Sequence, residues 1–232
     1  MDVAGRLASV RLSIEETLSA AGRTDAVTLV AVSKSFPAES LLDAYRAGQR
    51  DFGENRVQEA AAKREELKSF TPNIRWHLIG HLQTNKARAA VTSFQMIQSL
   101  DSKRIADAVN LRANQLDIKV PALFEVNVAG ETSKSGFEPD DLCRQVSELL
   151  ELSNIEPCGL MTIAPLVDDP IEVRPIFSRL RDLRDEIRER FALGSFSELS
   201  MGMSNDYQEA IRQGATIVRL GRAVFGERAG NP

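Results

Sequence analysis

Eight short apolar runs alternate along this chain with longer charged stretches, and that alternation constrains the fold more than any other feature. The runs, at 28–34, 51–55, 75–80, 96–100, 122–128, 156–164, 198–204 and 217–221, are rich in β-branched and aliphatic residues and read as buried strands. The stretches at 40–47, 57–67, 103–116, 139–152 and 171–191 carry apolar residues three and four positions apart and read as amphipathic helices. Pro37 is placed to start the first of them. In the last, Ile176, Leu180, Leu183 and Ile187 form the apolar seam. Strand–helix alternation predicts an α/β protein with a parallel sheet, and eight units predict closure into a single (β/α)8 TIM-type barrel. An open doubly wound sheet is the alternative. It is weakened because no Gly-x-Gly-x-x-Gly follows the first strand.

One barrel accounts for all 232 residues, and no linker or repeat divides them, so residues 1–232 read as one domain. Eleven residues follow Gly221, too few for a full eighth helix. An extra N-terminal helix at 4–21 is expected to lie where the eighth would. Net charge is −4 with no basic stripe, which argues against nucleic-acid binding through bulk electrostatics. The first residues lack the apolar core of a signal peptide. The longest apolar stretch, 159–167, is interrupted by Thr162 and Pro165 and falls short of the ~20 residues of a membrane helix. A soluble, cytoplasmic protein is expected, with Cys143 and Cys158 reduced and structural.

In such a barrel ligands bind where the strands end. The first run ends in Lys34. A lysine there is more often a solvated side chain. If it points into the mouth, burial favours the neutral amine, which attacks an aldehyde to give a Schiff base. Gly53 and Asn55 end the second run and read equally as a turn with a helix cap or as a ligand contact. His77 and His81 have the i, i+4 spacing of a zinc pair, but Gly80 breaks any helix between them. His77 is expected to be a packed histidine with a backbone partner, and His81 to sit at the rim. Asn127 and Lys134 lie near the end of the fifth run and in the loop after it.

Ser200, Gly202 and Ser204 make a small-residue turn leading into a helix, with Asn205 or Asp206 available as its cap. Free amides at such a turn suit a phosphate, and Asp206 should then face away. Arg219 and Arg222 flank Gly221 in the eighth segment. Arg219 faces inward if Ile217 does. Barrel phosphate sites commonly use the loops after strands seven and eight.

In order from about residue 28 to 226 the chain carries VAVSK, FGENRVQE, WHLIGHLQTNK, SKSG, GLMTI, LSMGMSND and RLGRAVFG. This set resembles the pyridoxal phosphate homeostasis protein family. The resemblance implies a barrel related to the N-terminal domain of alanine racemase, with pyridoxal 5′-phosphate (PLP) held as a Schiff base on Lys34. It implies Arg219 facing the pyridine nitrogen and Ser204, Gly221 and Arg222 holding the phosphate, the last two through backbone N–H. Ser200, Gly202 and Met203 would line the same turn, and Asn55 would sit near the ring. Many members carry Thr or Ser where this chain has Arg222, a change that a backbone contact survives. Arginine stays protonated and cannot readily protonate the pyridine, which leaves the ring a weaker electron sink. Racemases of the related fold take a second base, a tyrosine, from a further domain, and neither Tyr45 nor Tyr207 is placed by the resemblance to serve.

The expected function is therefore reversible PLP binding in intracellular PLP homeostasis, without efficient catalysis, by a monomer that delivers the cofactor to apo PLP-dependent enzymes. A low-efficiency PLP-dependent amino-acid racemase is the alternative. A Schiff-base aldolase without PLP ranks last, because Glu54 is the one carboxylate near the second strand end.

Overall fold

The computed structural model describes residues 1–131 and 134–227. Eight parallel strands close into a barrel in chain order: β1 (Thr28–Val32), β2 (Asp51–Glu54), β3 (Arg75–Leu78), β4 (Met96–Leu100), β5 (Val120–Glu125), β6 (Ile155–Met161), β7 (Glu198–Ser200) and β8 (Ile217–Leu220). The seam that closes it pairs Thr28 with Ile217 and Ala31 with Leu220. Between β6 and β7 the backbones meet closely at Gly159, whose φ is +154°. A Cβ there would lie 2.0 Å from the Glu198 carbonyl oxygen.

The helices are α1 (Val3–Ala20), α2 (Ala38–Arg46), α3 (Val57–Leu67), α4 (Ala87–Ser93), α5 (Lys103–Asn114), α6 (Pro139–Leu150), α7 (Arg174–Arg190), α8 (Tyr207–Arg212) and α9 (Arg222–Phe225). Asp2 caps α1 by accepting from Gly5 N at 2.8 Å. This helix lies against α8, α9 and α2, the place expected for an eighth barrel helix. Tyr207 Oη donates to Ser13 Oγ at 2.9 Å, and Arg11 Nη1 to the Ala47 carbonyl at 3.0 Å, tying α1 on both sides.

Two-residue alternation sorts the strands. Leu29, Ala31, Phe52, Leu78, Phe124, Leu199, Val218 and Leu220 face outward into the main core beneath the helices. Val30, Leu123, Met161 and Ile217 form a smaller cluster inside the barrel. Each large side chain so buried contributes about 1.5–3 kcal/mol. The α7 seam is Phe177, Leu180, Leu183 and Ile187, with Phe177 taking the place expected of Ile176. That helix starts late, because Pro170–Val173 is a 3-10 turn capped by Asp169.

Several strands leave the ladder sooner than their apolar runs suggest. β1 stops at Val32, β2 at Glu54 and β7 at Ser200, and the residues beyond them build the rim. Cys143 and Cys158 are both free thiols. Among the described residues no helix is long and apolar enough to cross a membrane.

Candidate functional site

At the C-terminal mouth lies a cavity of about 220 Å³. Seven of the nine residues that the family resemblance places around the cofactor line it: Lys34, Asn55, Met203, Ser204, Arg219, Gly221 and Arg222. They come from the ends of β1, β2, β7 and β8, separated by up to 188 positions, so only barrel closure brings them together. Asn55 is seated by a close approach of backbones. A Cβ on Gly80 would lie 2.5 Å from the Asn55 carbonyl oxygen, so the β3 end needs glycine there.

The turn after β7 and the start of α9 face each other across one end of the cavity. Among the described residues no acceptor takes the amide hydrogens of Ser204, Gly221 or Arg222. Arg222 Nη2 donates to Asn205 Oδ1 at 2.9 Å, and Ser204 Oγ accepts from Ala223 N at 3.3 Å. Unpaired amides beside a guanidinium are a donor set that suits an anion. Gly202 does not line the cavity. It turns the chain at φ +94°, packed so closely that a Cβ would lie 2.6 Å from Ala210 Cβ.

Asp206 departs from expectation. It lines the cavity and is buried rather than facing away. Its Oδ1 accepts from Met203 N at 2.5 Å, so it closes the turn instead of capping α8. Burial raises its pKa above the ordinary carboxylate range, against the hydrogen bond from Met203 N and the charge of Arg219.

Arg219 is 4% exposed and points inward from β8, as the Ile217 alternation requires. Its Nη1 donates to Ser200 Oγ at 2.7 Å and its Nη2 to the Thr162 carbonyl at 2.8 Å. Burial pushes its pKa down to about 10, partly offset by Glu125 and Asp206, so it stays charged at neutral pH. Ser200 thus lies beneath the cavity as the partner of Arg219, not on its wall. The chain of hydrogen bonds continues through the barrel. Ser200 Oγ donates to Gln98 Oε1 at 2.6 Å, and Gln98 Nε2 donates to His77 Nδ1 at 3.0 Å. His77 Nε2 then donates to Asp51 Oδ1 at 3.0 Å. Burial works to raise the Asp51 pKa, but hydrogen bonds from His77 and Arg75 outweigh it and hold the carboxyl below its ordinary range. His77 therefore has two side-chain partners, where a backbone partner was expected. A buried imidazole can take either kind of partner, and sequence spacing does not distinguish them.

A second cavity of about 220 Å³ adjoins the first, sharing Asn55, Ile79 and Ile163. His81 is on its wall, with Nδ1 2.5 Å from Asp101 Oδ2. Among the described residues no His, Cys, Asp and Glu group has the arrangement of a metal site. Asn127 pins the following loop through Glu131, and Lys134 pairs with Glu131. Ser133 of the SKSG motif lies outside the described residues.

Glu125, which the sequence reading passed over, is buried and points into this cavity from β5. Its pKa is pushed up to about 7, first by burial and then by Asp101, against the pull of Arg219 and His81. The signal was an acid at an alternate position of the apolar run ALFEV. Glu54, the carboxylate considered for acid–base work, is fully buried behind the sheet and does not line either cavity.

The fold and this rim define a barrel of the alanine racemase N-terminal domain class, whose family model matches residues 11–229. An alanine racemase from Clostridium difficile shares that fold at 14% identity and a TM-score of 0.74, with 99% of this chain and 57% of that one covered. Nearer relatives narrow the assignment. The pyridoxal phosphate homeostasis protein of Aquifex aeolicus is 43% identical over 229 residues, 98% of this chain and 99% of that one. The protein of the same name from Pseudomonas aeruginosa is 41% identical, covering 97% and 96%. PipY from Synechococcus elongatus, solved with PLP bound, superposes with a TM-score of 0.86 at 39% identity, covering 97% of this chain and all of that one. The chain belongs to the pyridoxal phosphate homeostasis protein family.

Proposed function

We propose that this barrel binds PLP reversibly at its C-terminal mouth and takes part in PLP homeostasis, without efficient catalysis. The observation that carries the reading is the convergence on one cavity of an amine, Lys34, with a buried guanidinium and a set of unpaired amides. The donors suit a phosphate: Ser204, Gly221 and Arg222 would hold it, the last two through backbone N–H. Met203 lies in the same turn. PLP would supply an aldehyde there, and Lys34 would supply the amine that holds it covalently, with one water released. Asn55 would lie beside the ring. Arg219 would meet the pyridine nitrogen, its guanidinium fixed by Ser200 and Thr162. A group charged at neutral pH and held by those bonds would donate to that nitrogen without giving up its proton, and the ring would then be a weak electron sink.

Tyr207 is tied to Ser13 on α1, and Tyr45 stacks under the Arg50 guanidinium on the outer face. Neither lines the cavity, which favours a binding role over racemase chemistry. The relatives' shared name and the PLP-bound PipY support the same reading. Apo PLP-dependent enzymes are the proposed recipients.

The test is the absorption spectrum of the protein with added PLP, before and after borohydride, with mapping of the reduced lysine. A visible band that reduces onto Lys34 is expected, and Lys34→Ala should lose it with the fold retained. A wild-type protein that takes up no PLP would overturn the proposal.

A further inference from the structure

Lys34 lies in a turn whose backbone is strapped on both sides by a buried ionic cluster. On its N-terminal side, Ser33 is fully buried. Ser33 Oγ donates to Glu54 Oε1, and the Ser33 carbonyl accepts from Lys63 Nζ, both at 2.7 Å. On its C-terminal side, Ser35 N donates to Glu59 Oε1 at 2.6 Å. Lys63 Nζ joins the halves, donating also to Glu54 Oε1 at 2.7 Å and Glu59 Oε1 at 2.8 Å. All three ammonium hydrogens of Lys63 are therefore used.

Two features set this cluster apart from a stability device. Lys63 is 7% exposed and Glu54 not at all. Buried pairs of this kind are often no more stabilising than apolar residues of the same volume. Glu54 Oε2 is buried with no hydrogen-bond partner among the described residues. An arrangement selected for stability would satisfy both oxygens, whereas here one oxygen takes both Ser33 and Lys63. The second feature is backbone strain. Ser35 has φ +66°, a left-handed conformation that a residue with a Cβ adopts at a cost of about 1–2 kcal/mol. The Glu59 carboxylate holds it there. Alternation does the rest: Ser33 and Glu54 face outward, so the residues beside them, Lys34 and Gly53, turn toward the barrel axis.

We propose that Lys63, Glu59 and Glu54 are positioning residues. They fix the backbone on either side of Lys34 so that its amine is presented for covalent attachment, without touching the cofactor. This rests on the PLP reading above. It predicts a split between two ligands. An analogue lacking the aldehyde, 4′-deoxypyridoxine 5′-phosphate, uses only the anion and ring contacts. PLP uses those contacts and Lys34 as well.

The experiment compares the dissociation constants of both ligands, and the rate of borohydride-trapped labelling of Lys34, in wild type, Lys63→Met and Glu59→Gln. Lys63→Met should bind the analogue within two-fold of wild type and PLP about ten-fold more weakly, the worth of one hydrogen bond to a charged group. Labelling of Lys34 should slow in step. Glu59→Gln keeps an acceptor for Ser35 N and should stay near wild type. Glu59→Ala removes it while sparing the Glu54–Lys63 pair, and should show the same split if Lys63→Met fails to fold. Equal weakening for both ligands, or no weakening for either, would overturn the assignment. A wild-type protein that binds the analogue but is never labelled at Lys34 would overturn the covalent reading, and this inference with it.

Discussion

Replacing Glu125 by Gln should remove a pH-dependent loss of stability that this one carboxyl imposes. Glu125 is 6% exposed, and it lines the second cavity. Its pKa stands at about 7 against an ordinary 4.5, raised first by burial and then by Asp101. A carboxyl whose pKa is higher in the folded state binds its proton more tightly there than in the unfolded chain. Stability is therefore greatest at low pH and falls as pH rises from about 4.5 through 7. At 1.36 kcal/mol for each pKa unit, that gap costs the folded state about 3 kcal/mol once the group is fully ionised. Glutamine matches the neutral acid in shape and cannot ionise. Urea unfolding of the cofactor-free protein at pH 5 and pH 8.5 should show Glu125→Gln gaining about 2–3 kcal/mol on wild type between the two. For a chain of this length that is about 5–10 °C in Tm. If the two proteins keep a constant difference across that range, Glu125 titrates normally and the account of its burial is wrong.

Arg219→Ala should weaken PLP binding by about ten-fold or more, since it removes a buried charged donor. Borohydride should still label Lys34 when PLP is saturating, and failure to label in a folded variant would contradict the division of roles. Gly80→Ala drives a methyl to within 2.5 Å of the Asn55 carbonyl. It should cost about 1–3 kcal/mol in urea unfolding, and an unchanged midpoint would refute the close approach. Phe177→Ala empties the centre of the α7 seam, where the ring is fully buried. It should cost about 3–5 kcal/mol by the same assay, and a loss below 1 kcal/mol would mean that the seam packs otherwise.

The barrel was legible because its determinants are local. Short apolar runs separated by helical stretches mark most of the β/α units, and the 57–67 helix matches α3 to the residue. α4 was missed because ARAAVTS is short and alanine-rich, with too little apolar contrast to show a face. Strand ends were overextended at 28–34 and 198–204. The chain stays extended or tightly turned past the ladder, and composition does not say where hydrogen bonding stops. At the rim, Lys34, Arg219 and the Ser204 turn announced themselves by breaking an apolar run. Their supports did not. Gln98 meets Ser200 across 102 positions, and Lys63 meets Ser33 across 30, so neither pairing leaves a mark in local sequence. Asp206 was misjudged because a carboxylate beside an anion site looks repulsive until its amide partner is known.

The seam between β1 and β8, with α1 laid over it, carries a consequence for how the molecule is made. Thr28 waits for Ile217, and Leu7, Val10 and Ile14 wait for α8 and α9. On a nascent chain the first strand therefore presents an unpaired edge, and the first helix a partly uncovered apolar face, until β8 and α9 have emerged. Contacts of such long sequence separation form late. A growing barrel is thus an open, sticky sheet for most of its synthesis, exposed to edge-to-edge association. Locking of the seam should be the last cooperative event in folding, and the step at which aggregation and productive closure compete.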